Sequence, residues 1–353
     1  MDATEVRERL RAVEDPALGD DIVSLGLVND ISVTDGVAQV SLALGAPYSP
    51  GESAIADEVR SVLSEAGLEP DLSASIDRDR ASEDPVLPGV ENVVVVASGK
   101  GGVGKSTVAV NIAAGLADRG GRVGLFDADV YGPNVPQMVG ADEGPQATGE
   151  GVIIPPEQYG VKLTSMAFLV GPDDPVIWRG PMVHKVLTQL VEDVEWGALD
   201  YLIVDLPPGT GDTQLTVLQT LPIAGAVIVT TPQEVAVDDA RKGLEMFGRH
   251  DTPVLGVVEN MSSFVCPDCG GQHDIFGRGG GEAFAAEEEM PFLGSVPLDP
   301  RVRTGGDEGA PAVLAEDLRA GQAFRDLTAN VADNVGIVAR RRHSDSARSA
   351  EAP

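Results

Sequence analysis

Nine residues, Gly99-Lys100-Gly101-Gly102-Val103-Gly104-Lys105-Ser106-Thr107, narrow the possible folds of this chain more than any other stretch. They follow the apolar run Val93–Ala97 and lead into Val108–Leu116, which has the composition of a helix. The run reads as a buried strand, so the glycines fall at a strand-to-helix turn. A turn of this kind wraps backbone N–H groups around phosphates, and the helix N-terminus adds a favourable field. Lys105 would reach the terminal phosphates and the Ser106 hydroxyl would bind Mg²⁺. The complete G-x-x-x-x-G-K-[ST] pattern implies a nucleoside triphosphate as ligand.

Lys100 is a second lysine at the mouth of this loop, where a side chain can reach outward. With it, the sequence resembles the deviant Walker A ATPases, the family of ParA, MinD and nitrogenase iron protein. The resemblance implies that Lys100 crosses a dimer interface to the phosphates held by a partner subunit. Asp205 closes the apolar run Tyr201–Val204, and a carboxylate at a buried strand end beside a phosphate loop is placed to hold Mg²⁺. Pro207–Asp212, just beyond it, resembles the family's second switch, which senses the γ-phosphate. Asp127-Ala128-Asp129-Val130-Tyr131-Gly132-Pro133 resembles the first switch. That likeness puts Asp127 near the Mg²⁺ shell and has Asp129 orient the attacking water, although the residues alone leave open which does which. The resemblance also sets Asn260 against the base, with Pro297-Leu298-Asp299 closing over the ring, and implies ATP.

Cys266 and Cys269 form a C-x-x-C pair shortly after Asn260. Two thiolates at this spacing are half of a tetrahedral sulfur site, and the chain has no further cysteine. Two chains meeting on a two-fold axis would supply the four thiolates of a [4Fe–4S] cluster. A Zn²⁺ site completed by His273 and a redox pair are the other readings. Taken together, Gly99–Thr107, Asp127–Pro133, Asp205–Asp212 and Asn260-Met261 with Cys266-Pro267-Asp268-Cys269 resemble the Mrp/ApbC family of iron–sulfur cluster carriers. Pro133–Pro136 and Trp178-Arg179-Gly180-Pro181-Met182 fit the same family. The resemblance implies a homodimer that holds a labile cluster, hydrolyses ATP and passes the cluster to apo-proteins.

The fold class expected is α/β, a P-loop NTPase with a mostly parallel, doubly wound sheet, preceded by a small α+β domain. Residues 1–80 read as that domain, with helices at Asp2–Val13 and Ser53–Ala66 and strands at Val28–Val33, Val37–Leu44 and Leu72–Ile76. Asp15-Pro16 and Val23–Val28 resemble the iron–sulfur assembly domain often fused before such ATPases. Related domains commonly carry a cysteine in the loop read here as Gly45–Gly51, which has none, so a docking or scaffolding role is expected. Residues 81–90 read as a linker and 91–330 as the ATPase. In the latter, strands are expected at Val93–Ala97, Val123–Phe126, Tyr201–Val204, Ala226–Thr230, Val254–Val258 and Phe292–Ser295. Residues 331–353 read as a flexible tail.

The chain has 25 Lys+Arg against 56 Asp+Glu, a net charge of −31. Such a surface repels nucleic acid and anionic lipid, which argues against binding either. It also points to a salt-rich, halophilic cytosol, with an ordinary acidic cytosolic protein as the alternative. The N-terminus lacks a secretory pattern and no apolar run is long enough to span a bilayer, so a cytoplasmic location is expected. Two other functions stay open on the sequence alone: a ParA/MinD-type positioning ATPase, and an electron donor with a dimer-bridging cluster.

Overall fold

The computed structural model describes residues 1–76, 86–130, 132–149, 151–169, 180–266, 269 and 271–351. It divides into two compact units, Met1–Glu83 with Ala332–Pro353, and Asp84–Val331.

In the first unit, α1 (Ala3–Leu10) starts at a capping box in which Asp2 and Glu5 satisfy each other's backbone N–H groups. Strands β1 (Val28–Thr34) and β2 (Val37–Leu42) pair antiparallel across Asp35-Gly36. Both turn residues have positive φ, as a tight hairpin requires. Helix α2 (Pro50–Glu65) then carries the chain to β3 (Glu69–Ala74), parallel to β2. Val6, Leu10, Leu27, Val40, Ile55 and Leu63 form its core.

The expectation of a flexible tail at 331–353 is corrected by the structure. A long helix (Arg319–Glu351) includes almost all of it, and its part from Ala332 belongs to the first unit. Arg340 on that helix is only 2% exposed. Its Nε lies 2.7 Å from Asp15 Oδ2 and its Nη1 2.8 Å from Glu52 Oε1. Glu52 also accepts the N–H groups of Gly45 and Ala46, and Asp333 accepts from the Ser49 hydroxyl and Gly51 N–H. The cysteine-free loop is thus fixed at both ends by carboxylates. Arg340 shares the buried face of this helix with Ala332 and Val335, so that face mixes apolar residues with a charge.

The second unit is built on a nine-stranded sheet among the described residues. Its central strands are β4 (Val90–Ala97), β5 (Val123–Asp127), β6 (Val161–Ser165), β7 (Leu199–Asp205), β8 (Ile223–Thr230), β9 (Val254–Val265) and β11 (Phe292–Leu298). The order β6-β5-β7-β4-β8-β9-β11 is parallel throughout. Two short antiparallel strands are added, Glu157–Gln158 beside β6 and β10 (Gln272–His273) beside β9. Each strand expected from the sequence of this unit lies within one of these, whereas β6 has no counterpart among the expected strands. The β5–β7 register sets Asp127 opposite Asp205, at the strand ends where open α/β sheets bind ligands. Helix α3 (Lys105–Asp118) follows β4, and its residues from Val108 to Leu116 are buried.

Of the expected linker, residues 81–85 lie outside the described residues, as do Tyr131, Trp178, Arg179, Pro267 and Asp268. The linker's later part is packed rather than loose: Leu87 joins the core of the second unit and Val90 opens β4.

Candidate functional site

The phosphate loop owes its path to glycine. Gly102 and Gly104 have φ of +80° and +85°, a region costly for other residues. A Cβ on Gly99 would lie 2.1 Å from the backbone of Asp239, so that position needs glycine for clearance. The chain then turns directly into α3, aiming the helix N-terminus at the loop's interior.

Five of the expected side chains gather at its rim. Lys105 Nζ lies 2.6 Å from Asp205 Oδ1, 3.3 Å from Ser106 Oγ and 4.0 Å from Asp129 Oδ2. Asp205 Oδ2 is buried without a hydrogen-bond partner among the described residues, beside a serine suited to the same cation. An orphaned carboxylate oxygen of this kind fits Mg²⁺, which favours one or two carboxylates plus phosphate oxygens. Asp127 is fully buried, and accepts from Ser165 Oγ at 2.8 Å and from the N–H groups of Asp129 and Val135. Asp129 accepts from Gly132 N–H at 3.2 Å, which ties the first switch to itself. Gly209 N–H bonds to Ser98 carbonyl at 2.9 Å, joining the second switch to the strand before the loop.

Burial, reinforced by the facing Asp205 carboxylate, pushes Asp127 up to about 7 from its ordinary 3.8. A carboxyl raised on folding stabilises the fold fully below the lower value, and this contribution is lost as pH climbs through the upper one. Asp127→Asn, which keeps the shape without the charge, should flatten that part of the pH dependence. It should also raise the melting temperature of ligand-free protein at pH 8 by several degrees, at about 2–4 °C per kcal/mol for a domain of this size. Scanning calorimetry from pH 5 to 8 checks this; an unchanged slope in the variant would count against it.

Lys100 is half-buried, and its ammonium makes no hydrogen bond or ion pair among the described residues. Asn260, expected against the base, sends its amide nitrogen to the loop itself, donating to Val103 carbonyl at 2.8 Å. It also lines a cavity of about 410 Å³ with Thr107, Met138, Leu298 and Val302, beside the start of α3. Neither the Val103 contact nor the Ser165 support for Asp127 could be read from the sequence, because each joins segments far apart in the chain.

Cys266 and Cys269 sit in the turn joining β9 to β10, which is closed by Cys266 N–H donating to Gly271 carbonyl at 2.9 Å. Neither is in a disulfide, and Cys269 is exposed. His273 pairs with Phe264 across the hairpin. Among the described residues no three of His, Cys, Asp and Glu gather closely enough to hold a metal ion.

Residues 89–332 match the family described as NUBPL iron-transfer P-loop NTPase. The chain belongs to that family. Residues 3–75 match a second family, described as iron–sulfur cluster assembly protein. Relatives of this iron-transfer NTPase include the iron–sulfur cluster carrier protein of Deinococcus radiodurans, 48% identical over 93% of this chain and 94% of its own length. The carrier protein of Synechocystis is 44% identical over 94% of this chain and 97% of its own. Among solved structures, an ADP-bound nucleotide-binding protein from Archaeoglobus fulgidus is 37% identical with a TM-score of 0.57, covering 64% of this chain and 88% of that one. The cell division ATPase MinD of Pyrococcus furiosus, 24% identical with a TM-score of 0.52, covers 68% of this chain and 98% of its own. That last likeness is one of fold. No helix among the described residues is long and apolar enough to cross a membrane.

Proposed function

We propose that this iron-transfer NTPase is an ATP-hydrolysing carrier. It holds a [4Fe–4S] cluster between the Cys266 and Cys269 pairs of two copies and passes it to apo-proteins in a salt-rich cytosol. The observation that carries this reading is a single unit containing both the phosphate-loop constellation around Lys105 and a strand, β9, that runs from Asn260 at the loop to the paired thiols. Two thiols per chain make half of the ligand set a cubane cluster takes, so a symmetric dimer completes it. The Lys100 ammonium, which has no partner among the described residues, supports the same dimer, in which it would meet a phosphate on the partner.

Nucleotide binding draws Lys105 from Asp205 onto the β- and γ-phosphates. This leaves Asp205, with Ser106 and the Asp127 side of the site, for Mg²⁺. The ion supplies neutralisation of phosphate charge, and Asp129 holds the water in line. The cavity beside Asn260 takes the adenine, whose edge matches an amide that can donate and accept.

Anaerobic reconstitution of the full chain tests the proposal. About two irons per chain are expected, four shared by two copies, with a dimer on gel filtration. Cys266→Ala should lose the iron and its visible absorption, and the wild-type cluster should move to an apo-acceptor on mixing. One Zn²⁺ held per monomer would overturn the reading. A cluster that exchanges electrons but never leaves would turn it toward the electron donor.

A further inference from the structure

Strand β9 departs from regularity where it passes the phosphate loop. Asn260 is 7% exposed, with its amide on Val103 carbonyl, and its Nδ2 lies 2.1 Å from where a Cβ on Gly104 would stand. The next residue, Met261, has φ of +57°, a conformation that side-chain-bearing residues adopt at a cost. Its terminal methyl is 3.7 Å from the same Gly104 position. Opposite β11 the register shifts at this point: Asn260 faces Val296 and Phe264 faces Leu298, so four steps along β9 match two along β11. Extra residues in one strand of a pair bend it and re-aim the side chains beyond the bend. Past that point the strand is hydrogen-bonded again, pairing Phe264 with His273 and Val265 with Gln272, up to Cys266.

We infer that Asn260 is a positioning residue, which ties the phosphate loop to the bent segment of β9 so that nucleotide at the loop changes the reactivity of Cys266 and Cys269. This rests on the carrier reading only in making the thiols the cluster's ligands; the coupling itself needs no cluster. The physical basis is contiguity. Phosphates held in the loop bond to its backbone N–H groups, and the Val103 carbonyl that Asn260 holds belongs to that same backbone. Asn260 moves with Val103 because its amide is bonded there and has no free space on the Gly104 side. Met261, held in an uncommon backbone region, is a residue with an ordinary conformation to relax into, as two-state elements require. Five residues separate Asn260 from Cys266, which directly follows the end of the strand.

The test uses the cluster-free full chain. Alkylation of Cys266 and Cys269 by iodoacetamide is monitored by mass spectrometry without nucleotide, with Mg·ADP and with a non-hydrolysable Mg·ATP analogue. In wild type, saturating nucleotide should change the rate at one or both thiols by about fivefold, the lower end of ordinary coupling between sites. In Asn260→Ala, with each nucleotide titrated to saturate the variant, the change should fall below about twofold while the sedimentation coefficient stays that of wild type. Met261→Gly, which frees the bend while keeping the Asn260 amide, should also weaken the dependence. Alkylated wild type should also bind ADP with an affinity different from that of the unmodified protein, and alkylated Asn260→Ala should not. A wild type indifferent to nucleotide, or an Asn260→Ala chain that keeps the full response, would overturn the inference. Loss of iron binding in reconstitution would instead strike the carrier reading and leave these rates untouched.

Discussion

Arg340→Ala should unfold the small unit while leaving the NTPase unit intact. Arg340 bridges two carboxylates, Asp15 and Glu52, that are themselves buried. Removing one member of a buried ion pair leaves uncompensated charge behind, at a cost of about 3–5 kcal/mol, which is comparable with the whole stability of a domain of this size. Burial already holds the Glu52 carboxyl above its ordinary range, against the pull of Ala46 N–H and Arg340. Its contribution to stability is therefore greatest in acid and is lost as pH rises through the folded value. Without the guanidinium that loss deepens, so the defect should be severe at pH 8 and milder near pH 4.5. Arg340→Lys should recover only part, since an ammonium lacks the planar fork that serves two acceptors at once. Hydrogen exchange read by mass spectrometry over residues 37–63 measures the effect. Both tryptophans, Trp178 and Trp196, belong to the other unit, so an unchanged tryptophan fluorescence melt gives the internal control. Wild-type protection across those peptides in Arg340→Ala would refute the prediction.

Asp129→Ala should reduce kcat for ATP hydrolysis by about 10²–10³-fold, the usual effect of removing one group that orients or stabilises the reacting centre. ATP affinity should stay within about threefold, because the backbone N–H groups of the loop and Lys105 hold the phosphates. Asp129 is the carboxylate with an oxygen 4.0 Å from Lys105, whereas both Asp127 oxygens accept hydrogen bonds from the switch and from Ser165. The proposed mechanism therefore has Asp127 fix the shape of the switch and Asp129 hold the water. Single-turnover hydrolysis alongside nucleotide titration separates the two effects. Equal loss of binding and turnover would move the water-holding role to Asp127.

The parts legible in the sequence share one property: their signal is local. The phosphate loop is a contiguous pattern, and the core strands read from unbroken apolar runs such as Val93–Val96, buried on both faces. Asp205 and Asp127 are legible because each closes such a run. The features that escape the sequence are non-local or polar. Strand β6 mixes Lys162 and Thr164 with apolar residues and carries no run long enough to read. The last helix passes for a tail because Arg340, Arg341 and Arg342 look solvated until Asp15 and Glu52 are seen beside the first of them. The bend at Met261 leaves no trace, since nothing about a methionine announces a positive φ.

The shared helix has a further bearing on how the polypeptide is made. Domains ordinarily fold in the order in which they leave the ribosome, amino-terminal first. Here the earliest segment to emerge cannot neutralise Asp15 and Glu52 until Arg340 has been synthesised, so the nascent small unit must wait, unfinished, through translation of the entire NTPase.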